Sequence, residues 1–146
     1  MTAHGVTVEL PRGWDARASK RDGIVTLHIA NYAIPSRDGE FGPRATRTMP
    51  IGGVFIALTE YKPQLANRGL YRARRAPRGL APRDFSPNAV LNARRHQLGH
   101  QRFFTVKGRP FCLYAVIRAS RNTARVVAEA NTVLRELRIE RRKQAD

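Results

Sequence analysis

The chain has 146 residues, 42% of them hydrophobic, with a single cysteine and a formal net charge of +16 from 27 basic and 11 acidic residues. That length and apolar content fit one domain over residues 1–146 with a core of its own, and exclude a chain too polar to fold. Cys112 has no second cysteine to pair with, so no intrachain disulfide forms, and no stretch approaches the roughly 18 apolar residues that a membrane span needs.

Alternation of Val6, Val8 and Leu10 predicts a first strand, after which Pro11 and Gly13 turn the chain toward Trp14. Asp22-Gly23 is a hairpin turn signal, because both residues tolerate the backbone angles of a tight turn. The strand beyond it places Val25, Leu27 and Ile29 on one face and Thr26 and His28 on the other, polar face. Pro35 to Pro50 is polar and glycine-containing, and predicts a long loop. Gly53 to Tyr61 is almost continuously apolar and predicts a central strand. In the arginine-rich stretch that follows, Pro77, Pro82 and Pro87 forbid a long helix. Leu70 to Arg74 is expected to be a short edge strand, and Ser86 to cap a short helix with Pro87 at its first position.

A hairpin is expected from His100–Thr105 into Phe111–Arg118, turning near Lys107-Gly108. Ser120 is expected to cap a last helix whose Val126, Ala130, Val133, Leu134 and Leu137 share one face, with Arg125 and Glu129 spaced to pair on the other. Residues 140–146 form a basic tail expected to fray. The sum is an α+β fold, an antiparallel β-sheet packed by a C-terminal amphipathic helix and short additional helices.

Motifs for catalysis are sparse. There is no Gly-x-Ser-x-Gly nucleophile elbow and no Gly-x-x-x-x-Gly-Lys phosphate loop; Gly52-Gly53 precedes a strand and predicts a bend. His96 and His100 stand four apart, but Gly99 interrupts them and the nearby acids that would complete a metal site are missing. Asp38 with Glu40, and Asp15 with Asp22, offer no protected carboxylate pair. Cys112 is open to two readings: a small buried hydrophobe, or a nucleophile with Arg109 lowering its pKa and His100 as base. No metal or cofactor is expected.

Charge is the stronger signal. Of the basic residues 23 are Arg and four are Lys, a bias that genomic composition alone can produce. Composition does not explain clustering, however: residues 68–109 hold eleven basic residues and one acid, Asp84, giving +10 in 42 residues against +6 in the other 104. Tyr71, Phe85, Phe103, Phe104 and Phe111 interleave with them. Arginine forks with aromatic faces suit single-stranded nucleic acid, and the same residue types are enriched at protein interfaces. The expected partner-binding residues are Arg72, Arg74, Arg75, Arg78, Arg94, Arg95 and Arg102, with Tyr71 or Phe103 stacking if the partner is nucleic acid.

The order VELPRGW, GVFIALTEY, QRFFTVKGRPFCLYAVI and LRELRIE resembles small actinobacterial domains of unknown function whose layout is similar to the PsbP-like fold. Members of that fold are mostly non-enzymatic assembly subunits, transport factors and chaperones. The resemblance therefore implies a PsbP-like sandwich and a binding or adaptor role, and supplies no catalytic residues. The expectation is a cytoplasmic, non-catalytic adaptor holding an acidic protein surface or other anion. Nucleic-acid binding through the same face is the alternative, and a thiol enzyme using Cys112 the third reading.

Overall fold

The chain forms two antiparallel sheets, and the computed structural model describes residues 1–92 and 94–142. Two-residue strands β1 (Thr2–Ala3), β2 (Val6–Thr7) and β8 (Arg138–Ile139) make a small sheet that joins the two ends of the chain. The main sheet has the order β3-β4-β5-β7-β6, built from β3 (Asp15–Arg21), β4 (Ile24–Ala30), β5 (Val54–Glu60), β6 (Gln97–Val106) and β7 (Arg109–Arg118). Asp22-Gly23 and Lys107-Gly108 close its two hairpins with positive φ at both positions, the backbone twist that two-residue turns require. The apolar run in β5 is central as expected: every residue from Val54 to Glu60 is buried.

Both faces of this sheet are covered. On one face Leu27, Ile29, Ile56, Leu58, Leu113 and Ile117 pack beneath α2 (Thr123–Leu134), which contributes Val126, Val127, Ala130, Val133 and Leu134. Those helical positions recur every three or four residues, so they form a single apolar stripe. The other face carries Phe55, Ala57, Tyr114 and Val116 and is covered by Ile34, Ala45 and Met49. The stretch expected to be a plain loop therefore contains a short helix, α1 (Pro43–Arg47), and serves as a second layer.

That layer changes the status of His28. Alternation placed it correctly on the face opposite Leu27 and Ile29, but the face is not solvated: His28 is buried, with Nε2 2.8 Å from the Glu40 carbonyl oxygen and its ring edge-on to Phe55. Burial pushes its pKa down, against smaller upward effects of the Glu40 carbonyl and Asp38.

Three local expectations give way to tertiary demands. Asn122 rather than Ser120 caps α2, its side chain accepting from the Arg125 amide at 3.1 Å. The β6–β7 ladder continues one step through Ala119 N–H to His96 O, leaving Ser120 and Arg121 to reverse the chain. Glu129 does not pair with Arg125; its Oε2 accepts from Asn31 Nδ2 at 2.9 Å, and Asn31 also bonds Gly52 O and Val54 N–H. Finally, two residues of the expected frayed tail bond to the body of the fold: the Glu140 N–H donates to Gly5 O and Arg142 reaches Glu60. Residues 143–146 lie outside the described residues.

Candidate partner-binding surface

β6 is an edge strand, and the arginine-rich segment is the chain that manages this edge. A single 3₁₀ turn at Gly69–Arg72 replaces the expected edge strand, because Tyr71 is drawn into the sheet against Phe103 at 5.4 Å between ring centres. The segment is tied to the end of β6 by three bonds: Thr105 N–H to Ala73 O at 2.7 Å, Thr105 Oγ1 to Tyr71 O, and Asn67 N–H to Thr105 Oγ1. It then passes to the α2 side of the sheet, where Leu80 exchanges two hydrogen bonds with the Asn131 side chain, at 2.8 and 2.9 Å.

The segment returns at Ser86, which exchanges both backbone bonds with Gly99 at 2.9 Å. Gly99 permits this crossing because a Cβ there would stand 2.8 Å from Ala89 O. Ser86 does cap the next turn, accepting from Asn88 N–H at 3.1 Å, but only one 3₁₀ turn, Pro87–Ala89, follows where a helix was expected. Ser86 is held to β6, so the chain after it must stay beside the strand and has no room to propagate a helix.

Arg72, Arg74, Arg75, Arg78, Arg94 and Arg95 are exposed and Arg102 is half-buried. Among the described residues none of the seven lies in a salt bridge; the four pairs are Arg17–Asp15, Arg109–Glu60, Arg138–Glu136 and Arg142–Glu60. Five of the seven follow β6. Arg72 and Arg74 flank Ala73 at the Thr105 end of β6, Arg94 and Arg95 precede its first residue, and Arg102 lies between. At a rise of ~3.3 Å per residue the two ends are about 30 Å apart. That is several Debye lengths at ordinary salt, ~10 Å each, so one compact anion does not feel both ends.

The aromatic expectation fails for Tyr71. Its side chain is 9% exposed and committed to Phe103, so it offers no free ring face to a base; Phe103 is half-buried in the same contact.

Arg109, counted with the basic cluster by sequence, belongs elsewhere. It is 4% exposed and all five of its N–H groups are engaged. Nε and Nη2 take the two oxygens of Glu60 at 2.9 and 2.8 Å, Nη1 donates to Gly5 O and Glu140 O, and Nη2 also to His4 O. Arg142 reaches Glu60 Oε2 from outside at 2.6 Å. Burial alone would push the Glu60 carboxyl up; the hydrogen bonds and charges of Arg109 and Arg142 outweigh it and hold the group below its ordinary value. A cleft of about 590 Å³ opens beside this cluster, with Lys20, Tyr61, Lys62 and Arg141 in its walls. The cluster was invisible to motif reading, since Glu60 lies 49 residues from Arg109 and 82 from Arg142.

Cys112 takes the buried-hydrophobe reading. It is 1% exposed, and burial pushes its thiol up to about 11, partly offset by the hydrogen bond from Gln101 Nε2 at 3.5 Å. Arg109 is spent on Glu60 and lends it no charge. His100 is no base for it either: Cys112 pairs with Phe103, and His100 projects from the opposite face of β6 with Nδ1 2.9 Å from Asp84 O. We expect Cys112 in the native protein at pH 7.5 to resist a thiol reagent and to react promptly in denaturant; fast native labelling would restore the nucleophile reading. His96 is at a turn with φ 65 and His100 is in a strand, so the two do not share a helical face. Among the described residues no three His, Cys, Asp or Glu side chains gather as a metal site.

Comparison of the chain with protein-family models, with curated proteins and with solved structures finds no match. Among the described residues no helix is long and apolar enough to cross a membrane.

Proposed function

We propose that this chain is a non-catalytic binding or adaptor protein, working in the cytoplasm, that holds an acidic protein partner along the β6 edge. The residues assigned to the contact are Arg72, Arg74, Arg75, Arg78, Arg94, Arg95 and Arg102. What supports this reading is that these guanidinium groups lie in no salt bridge among the described residues and that five of them follow the β6 edge rather than gathering around one point. An isolated phosphate needs two or three donors converging; a stripe of this length suits an extended or broad partner whose carboxylates take the arginine forks one by one. A single-stranded nucleic acid would meet the same charges, but burial of Tyr71 leaves half-buried Phe103 as the one ring of the two expected for stacking. The adaptor role implied by the PsbP-like resemblance agrees with this assignment.

The test is retention on a polyanion column and low-salt capture with and without nuclease. Arg74→Ala combined with Arg75→Ala is expected to elute at clearly lower salt than the unaltered protein, because both residues are exposed and removing them leaves the fold intact. Unchanged retention rejects the surface. Capture abolished by nuclease transfers the site to nucleic acid, for which affinity should fall ~10³–10⁵-fold between 50 and 200 mM salt if six to ten phosphates are contacted.

A further inference from the structure

The arginine-rich segment covers the two ends of the β6 edge and leaves its middle open. Even-numbered residues of β6 bond to β7, as the Ala119 N–H to His96 O bond sets the ladder's phase; odd-numbered residues turn their backbone groups outward. Of these, Gly99 is taken by Ser86 and the Thr105 amide by Ala73. Gln101 and Phe103 lie between, and among the described residues their N–H and C=O groups have no backbone partner. The gap between the two crossings admits a strand of about five residues at ~3.3 Å each.

We infer that this gap is a strand-addition site: an extended acidic peptide segment of the partner pairs with Gln101 and Phe103 and completes the sheet. The inference rests on the acidic-partner reading and adds to it the shape of what is bound. Charge complementarity selects the occupant. Arg72 and Arg74 stand at one end of the gap, Arg102 within it and Arg83 near the other. The nearby acid, Asp84, caps the Ala81 amide at 2.7 Å. Strand addition uses main-chain bonds for affinity and alternate side chains for specificity. Leu70, 69% exposed on the turn at the Thr105 end, gives one apolar contact for such a side chain. The sheet's other edge, β3, is different: the Ala16 amide is already taken by Asp15 Oδ1 at 2.9 Å, and among the described residues no chain crossings define a gap there.

The experiment uses the full chain and a capped peptide of about eight residues alternating Glu and Val, a length that overfills the gap. Binding is followed by anisotropy, and amide hydrogen exchange is read with and without peptide. Slower exchange at Gln101 and Phe103, with β3 amides unchanged, is the expected result. N-methylating one alternate set of peptide amides should weaken binding about tenfold or more, while the other set, pointing away, leaves it unchanged. Gln101→Pro, which removes an amide that β7 does not use, should lose peptide binding and keep polyanion retention. Equal tolerance of both N-methylated sets, or protection appearing on β3, overturns strand addition while leaving the charge reading standing. Failure of both the peptide and the polyanion column to bind removes that reading as well. A single-stranded oligonucleotide that displaces the peptide and slows no β6 amide assigns the edge to nucleic acid and also overturns the inference.

Discussion

Arg109→Met is expected to destabilise the protein by about 3–5 kcal/mol at neutral pH, the range found when one partner of a buried ion pair is removed. The substitution keeps most of the side-chain volume, so the loss is electrostatic and not a cavity effect. Glu60, 6% exposed, would keep its charge with only Arg142 to answer it, and the carbonyl oxygens of His4, Gly5 and Glu140 would lose their shared donor. Those carbonyls belong to the two chain ends, so the small sheet β1-β2-β8 should loosen first. With native stabilities of ~5–15 kcal/mol, the loss consumes a large part of the total.

The pH dependence has a definite sign. Glu60 titrates below its ordinary value of 4.5 in the folded chain, so its contribution is complete above that value and fades as pH falls through the lower, folded one. Urea melts of the two proteins should therefore differ most near pH 7 and by clearly less in acid, where Glu60 is protonated in both and only the carbonyl bonds of Arg109 still separate them. A deficit that is constant down to acid pH would mean that Arg109 acts through the His4, Gly5 and Glu140 carbonyls and by packing on Phe111, whose ring centre is 5.3 Å from its guanidinium carbon, rather than through the charge of Glu60.

Gly42→Ala should be costly for a reason that has no electrostatic part. Gly42 has φ 61, a left-handed conformation that costs an alanine about 1–2 kcal/mol. A Cβ there would also stand 2.2 Å from Cζ of Phe55, a ring that is 0% exposed and has no room to retreat. Overpacking of this kind adds about 1–3 kcal/mol, so a total near 2–5 kcal/mol is expected in the same melts. Phe55→Leu should recover part of the loss in the double variant by vacating the contested space. Absence of any recovery would show that the backbone angle, and not the ring, sets the cost.

Much of the framework was legible along the chain because period-two and period-three-to-four patterns are local. Val25, Leu27 and Ile29, the apolar run of β5, the Lys107-Gly108 turn and the stripe of α2 each follow from neighbours a few residues away. The clustering of positive charge in residues 68–109 was equally plain, because counting needs no geometry.

Tertiary structure decided the rest. Which arginine is buried depends on a carboxylate 49 residues distant, so Arg109 and Arg74 look alike in sequence while one is buried in an ion pair and the other is exposed. Tyr71 leaves solvent because Phe103 awaits it, and Leu70–Arg74 turns instead of extending for the same reason. The gap in the β6 edge exists only because two short crossings, at Ala73 and Ser86, meet a strand whose ladder phase is set by β7. Composition and periodicity determine which elements form; burial and register, being sums over residues far apart in the chain, determine which side chains and which backbone groups are left facing solvent.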